Sequence, residues 1–128
     1  MTLTLAAVTF LVRDYDEAIS WFTTALNFVL VEDIQLDDNK RWVKVAASNG
    51  ATSLLLAKAE GEAQIAAIGK AAGGRVSYFL YTDDFTTSHA HMREANIHFR
   101  EAPRHMPYGT VAVFDDLYGN GWDLIEPR

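Results

Sequence analysis

Cysteine is missing from the 128 residues, which removes disulfide scaffolds, Cys-ligated zinc and thiol nucleophiles from consideration. Basic charge is scarce: 11 Lys+Arg stand against 17 Asp+Glu, for a formal net charge of −6, and no cation cluster is denser than "KRWVK" at residues 40–44. A chain so balanced is not expected to bind nucleic acid or an anionic membrane, and any charge preference runs towards neutral or cationic ligands. Long apolar runs are missing too. Nothing approaches ~18 consecutive apolar residues, and the opening "MTLTLAAVTFLVRDYDEA" has no basic leader and is interrupted by Arg13 and Asp14. These absences point to a soluble, unexported protein, cytoplasmic by its lack of cysteine. Phosphate-cradling patterns are absent as well, because the glycines of "AAGGRVSYF" precede a strand-like run, the wrong order for a phosphate loop.

What is present is a repeat. "TFLVRDYDEAISWFTTALNF" from Thr9 and "YFLYTDDFTTSHAHMREANI" from Tyr78 align at an offset of 69 residues, which places Asp14 on Asp83, Phe10 on Phe79, Leu11 on Leu80 and Asn27 on Asn96. Each copy opens as a strand, turns at an aspartate and continues as an amphipathic helix that is expected to end at its Asn. In the first, Asp14 and Glu17 form an N-cap pair, with Ala18, Phe22, Ala25 and Leu26 on one face. Three strand-like runs follow in each copy: Phe28–Leu36, Arg41–Ala47 and Thr52–Ala57, then Ile97–Glu101, Thr110–Asp115 and Trp122–Glu126. The unit is βαβββ, present twice, so the expected fold is α+β. One domain is expected at this length, with module 1 at about residues 1–58, an Ala- and Gly-rich linker at about 59–74 holding a short helix, and module 2 at about 75–128.

Alternation assigns faces. Val43 and Val45 point opposite to Trp42 and Lys44, and Val111 and Val113 point opposite to Thr110, Ala112 and Phe114. The valine faces are expected to meet the helices. The other face mixes Thr9, Trp42, Lys44, Tyr78 and Phe114, too polar for a dry core and too aromatic for plain surface, so two four-stranded sheets are expected to curve around a pocket.

The paired βαβββ units, "VTFLVRDYDEAISWF" and above all the closing "PYGTVAVFDDLYGNGWDLIEP" resemble the vicinal oxygen chelate superfamily, which includes glyoxalase I, extradiol dioxygenases, fosfomycin resistance enzymes and bleomycin resistance proteins. The resemblance covers nearly the whole chain. It implies a cupped mixed sheet around a cavity and a homodimer. Metal-using members carry His, Gln or Glu at four strand positions, which fall here at about Ala7, Leu55, Val76 or Ser77, and Asp123. Only Asp123 is a competent ligand, and residues 5–12, 51–57 and 75–82 contain no His, Asp, Glu or Gln. A coordination sphere needs several such side chains converging. The expectation is therefore no metal, no other cofactor, and no glyoxalase I or extradiol dioxygenase chemistry.

Candidate site residues follow. Asp123 is either a functional acid at an inherited ligand position or a structural charge on a strand. Trp42, Tyr78 and Phe114 either stack on a ring or cation, with Thr9 and Lys44 beside them, or simply fill the cup. Among the histidines, His89 shares a helix face with Phe85 and Met92 and reads as packed, His91 as exposed, and His98 has no identifiable partner. His105 sits on a loop with Arg104 and Tyr108 and is the best site candidate of the four. Two functions fit: a metal-independent protein binding an aromatic or cationic small molecule, or a superfamily lyase, isomerase or dioxygenase with a reduced metal site or with Asp123 paired to Tyr78 or His105 as acid and base.

Overall fold

Aspartates open both long helices and asparagines close them. Asp14 accepts the Glu17 N–H at 2.8 Å and starts α1 (Tyr15–Ala25), while the Glu17 carboxylate turns to Arg13 at 2.6 Å. The chain leaves α1 through Asn27 at φ 54°, a left-handed conformation that Asn tolerates. In the second copy Asp84, not Asp83, is the cap: it accepts the Thr87 N–H at 3.1 Å and starts α3 (Phe85–Glu94), which is left through Asn96 at φ 65°. The asparagines keep the 69-residue offset and the caps do not, so α3 is one residue shorter than α1.

The computed structural model describes residues 1–48 and 50–128. The chain divides into two units, Met1–Ile68 and Gly69–Arg128, each with one four-stranded mixed sheet. The first holds β1 (Ala7–Val12), β2 (Val29–Gln35), β3 (Arg41–Ala46) and β4 (Ser53–Lys58) in the order β1-β4-β3-β2, with β1 parallel to β4, and ends in α2 (Gly61–Ala67). The second holds β5 (Val76–Tyr81), β6 (Arg104–Met106), β7 (Gly109–Asp115) and β8 (Gly121–Pro127) in the matching order β5-β8-β7-β6. The chain thus carries two βαβββ modules. No helix among the described residues is long and apolar enough to cross a membrane.

In the first module the faces follow the sequence. Phe10, Val12, Val43, Val45 and Leu56 are essentially unexposed and face α1, where Ala18 and Phe22 are equally buried. The rings of Phe10 and Phe22 meet edge to face at 5.1 Å. Each such side chain contributes roughly 1.5–3 kcal/mol by leaving water. Thr9, Trp42, Lys44 and Leu55 lie on the open face.

The second module departs from expectation twice. The strand expected at Ile97–Glu101 is not β6. Residues 98–100 do approach β7, through Arg100 N–H to Val113 O at 2.9 Å and Asp115 N–H to His98 O at 3.0 Å. The Glu101 carboxylate then takes the Val113 N–H at 3.0 Å, replacing a ladder carbonyl. Pro103 brings no donor, and pairing resumes only at Arg104.

The face assignment is also reversed. Phe114 and Trp122 pair across β7 and β8, as do Ala112 with Leu124 and Thr110 with Glu126. Glu126 accepts the Phe85 N–H of α3 at 2.7 Å, which fixes that row on the helix side. Val111, Val113 and Asp123 therefore lie on the open face, where Val111 is nonetheless fully buried and the other two half-buried. The offset of 69 already carries Val43 and Val45 onto Ala112 and Phe114, so the valines of the two modules are not equivalent. In β5 the cap moved by one residue also moves the strand, making Phe10 equivalent to Leu80 and placing Tyr78, beside Trp122, on the helix side. A one-residue slip exchanges every side chain between faces.

Candidate functional site

On the open face of the first module, the expected residues Thr9, Trp42 and Lys44 are brought together. Thr9 and Lys44 both pair with Leu55, and Trp42 is 39% exposed. Lys44 Nζ lies 2.9 Å from Glu32, and this partner lowers the Glu32 pKa. Arg41 is anchored by a fork to Asp33 (2.7 and 3.2 Å) and by Asp16 at 3.0 Å, and its guanidinium lies 5.2 Å from the Tyr15 ring centroid.

On the open face of the second module, Asp123 pairs with Phe79 on one side and Val113 on the other. Its Oδ1 is buried and has no hydrogen-bond partner among the described residues. Burial raises the Asp123 pKa, the Arg104 charge opposes this, and Glu101 adds to it. Arg104 is itself held by a fork to Glu101 at 2.7 and 3.1 Å. Phe79 and Tyr81, 64% and 71% exposed, complete an aromatic border that sequence reasoning missed. The signal available was the second helix cap, which at Asp84 would have placed both rings on this face.

The remaining candidates sit elsewhere. Phe114 is fully buried between Phe99 (5.6 Å) and Trp122 (5.8 Å), and Tyr78 packs 4.6 Å from Trp122, with burial pushing its hydroxyl up to about 12. His105 is exposed with Nδ1 3.2 Å from Thr110 Oγ1, and Thr110 belongs to the helix-side row. Tyr108 is exposed in the β6–β7 turn. Tyr78 and His105 thus lie across the sheet from Asp123, and neither acid-base pair is assembled within this module. His89 packs between Phe85 (5.4 Å) and Phe99 (4.3 Å), as its helix position implies. His91 is not exposed: it is half-buried, with Nε2 enclosed and unbonded among the described residues.

Asp116 holds the closing turn in shape. Buried to 6% exposure, its Oδ1 accepts the N–H groups of Tyr118 (2.9 Å) and Asn120 (3.1 Å), while its Oδ2 accepts Asn120 Nδ2 (2.9 Å) and Trp122 Nε1 (2.9 Å). Gly119 supplies the positive φ of 90° that the turn requires. This cluster sets the start of β8 and hence the position of Asp123.

The inherited metal positions fail a donor test. Ala7, Leu55, Val76 and Ser77 provide no imidazole or carboxylate, and no group of three or more His, Cys, Asp or Glu suited to a metal occurs among the described residues. The residues present do not fit the superfamily's metal centre.

The enclosed Oδ1 of Asp123 has a stability consequence. Its folded pKa is raised, so the native state disfavours the charged form; the associated stability is present at low pH and lost as pH rises through the folded value. Asp123→Asn is therefore expected to stabilise the protein slightly at pH 7, the effect being screened by solvent around a half-exposed group, with the gain vanishing below the usual carboxylate range. Urea melts of both proteins across that range check it, and a loss of stability at pH 7 would show that Asp123 is paired.

The family model of the Glyoxalase/Bleomycin resistance protein/Dioxygenase superfamily matches residues 4–124. The chain belongs to this superfamily. An uncharacterized protein of Shewanella frigidimarina (strain NCIMB 400) is 47% identical over 129 residues, spanning 98% of this chain and 95% of that one. Among solved structures, UcmS2 aligns at 27% identity and TM-score 0.84 over 98% of this chain and 99% of its own. TnmS3, described as an antibiotic binding protein from Streptomyces sp. CB03234, aligns at 25% identity and TM-score 0.77 over 100% and 99%.

Proposed function

We propose that this protein is a metal-independent small-molecule binding protein, taking an aromatic or cationic ligand on its open sheet faces. The observation that carries the proposal is the donor set: three of the four inherited ligand positions hold side chains that do not bind a divalent ion. Trp42 and Thr9 offer a flat wall and a hydroxyl on the first module. Asp123 offers an acceptor without a partner among the described residues on the second, bordered by Phe79 and Tyr81. The antibiotic-binding description of TnmS3 agrees with binding rather than turnover. A thermal-shift screen of small aromatic and cationic compounds in the presence of a chelator tests it, because a ligand of the native state raises its stability by about 2.7 kcal/mol at a hundredfold excess over Kd. Shifts that appear only after a divalent metal is added would overturn it.

The protein is further proposed to be a homodimer. Edge strand β2 exposes Val29, Val31 and Ile34 to between 47% and 49%, an apolar edge of the kind that natural sheets cover. Light scattering at micromolar concentration is expected to return twice the 14.3 kDa chain mass; the single mass would count against pairing.

A further inference from the structure

A cavity of about 340 Å³ lies within the first module, where β3 begins, β4 ends and α2 packs. Its wall is partly apolar, from Trp42, Leu36 and Leu55. The polar groups around that wall are unusual in kind. Lys40 and Lys58 line it, both are exposed, and among the described residues neither ammonium has a carboxylate within ion-pair distance. Gln64, also in the wall, accepts the Glu60 N–H through Oε1 at 2.9 Å, which turns its NH₂ away from that bond as a spare donor. The Tyr15 hydroxyl accepts the Arg41 N–H at 3.2 Å, leaving its own hydrogen to give. Arg41 is neutralised by Asp33 and Asp16 and is not available. Against these donors stands one wall carboxylate, Glu60.

We infer that this cavity binds a small planar aromatic carboxylate, its ring against Trp42 and its anion among Lys40, Lys58 and the spare donors of Gln64 and Tyr15. Four donor groups beside an apolar wall ask for acceptors and negative charge, and Trp42 asks for a flat partner. The volume lies at the small end of ligand pockets, which run about 300–1,000 Å³, and suits one or two rings. In a chain of net charge −6, two lysines against a single carboxylate in one cavity wall run counter to the overall composition. The cavity shares Trp42 with the open-face reading but draws on Lys40 and Lys58, which that reading does not use, and it does not depend on metal independence.

Calorimetric titration with 2-naphthoate tests it, set against 2-naphthamide, which has the ring without the charge, and octanoate, which has the charge without the ring. Naphthoate is expected to bind about tenfold more tightly than either. The Lys40→Ala/Lys58→Ala double variant is expected to remove that advantage over the amide, and Trp42→Ala the advantage over octanoate. Lys70→Ala, outside the cavity, is expected to leave naphthoate binding unchanged, and because Trp42 also serves the open face, it is the Lys40 and Lys58 pair, absent from that reading, that separates failure here from failure of the open-face proposal. All substituted side chains of the cavity are exposed, and circular dichroism checks that each variant is folded. Equal affinity for naphthoate and naphthamide, no binding at millimolar concentration, or full affinity in the double variant would overturn the inference.

Discussion

Val43→Asp is expected to unfold the first module, while Trp42→Ala, one residue away, leaves it folded. Val43 is 0% exposed, pairs with Leu56 on β4 and faces α1. An aspartate there places a charge among Phe10, Leu56 and Phe22, and the cation on that face, Arg41, is already held by Asp33 and Asp16; such burial costs several kcal/mol, about 3 or more even after relaxation. Trp42 projects from the other side of the same strand at 39% exposure, so truncating it removes ligand-stacking area and little core. The expected result is loss of cooperative unfolding for Val43→Asp, and for Trp42→Ala a near-native urea midpoint with weakened ligand binding. A folded Val43→Asp beside an unfolded Trp42→Ala would reverse the faces and remove the open-face site of this module.

Asp116→Ala is expected to cost about 3 kcal/mol, because it removes at once the acceptor of four hydrogen bonds, three of them buried. The Trp122 indole and the Asn120 amide both give to Oδ2, and the backbone N–H groups of Tyr118 and Asn120 give to Oδ1. Asn120 in turn accepts the Ala71 N–H at 3.0 Å, so the loss spreads to the segment that precedes β5. Asp116→Asn retains one carbonyl acceptor but turns an NH₂ against donors, and is expected to fall between wild type and alanine. Denaturant melts, with amide hydrogen exchange at β7 and β8, measure both the size of the loss and where it acts. An alanine variant within 0.5 kcal/mol of wild type, about the usual reach of an unremarkable surface change, would show that the cluster is dispensable.

The paired architecture was legible in the sequence because its strongest markers are local. Asp14 caps, Asn27 and Asn96 adopt left-handed exits, and the alternation of "WVKVA" names the core face of β3 without tertiary help. The second module was harder to read because one residue is lost between its cap and its closing Asn. Asp83 and Asp84 are adjacent, both are competent caps, and choosing the first displaced Tyr78 to the wrong face and hid Phe79 and Tyr81. The "TVAVF" strand repeated the valine pattern of "WVKVA" while serving the opposite side. There Phe114 packs on Trp122 beneath α3, while Val111, equally buried, lies on the opposite side of the strand. β6 escaped because its pairing is interrupted by a side chain, Glu101, whose reach to the Val113 N–H leaves no mark in a periodicity. Asp123 was legible as an acid on the closing strand; its enclosed, unbonded oxygen was not, since burial depends on neighbours from other strands.

Elemental analysis of the mildly purified protein tests metal independence most directly. With Ala7, Leu55 and Val76 or Ser77 at three inherited positions and Asp123 alone at the fourth, the expected result is zinc, nickel, manganese and iron all far below one equivalent per chain, with ligand-induced thermal shifts unchanged by chelator. Near one equivalent of any of these metals, removed by chelator together with ligand binding, would contradict the account.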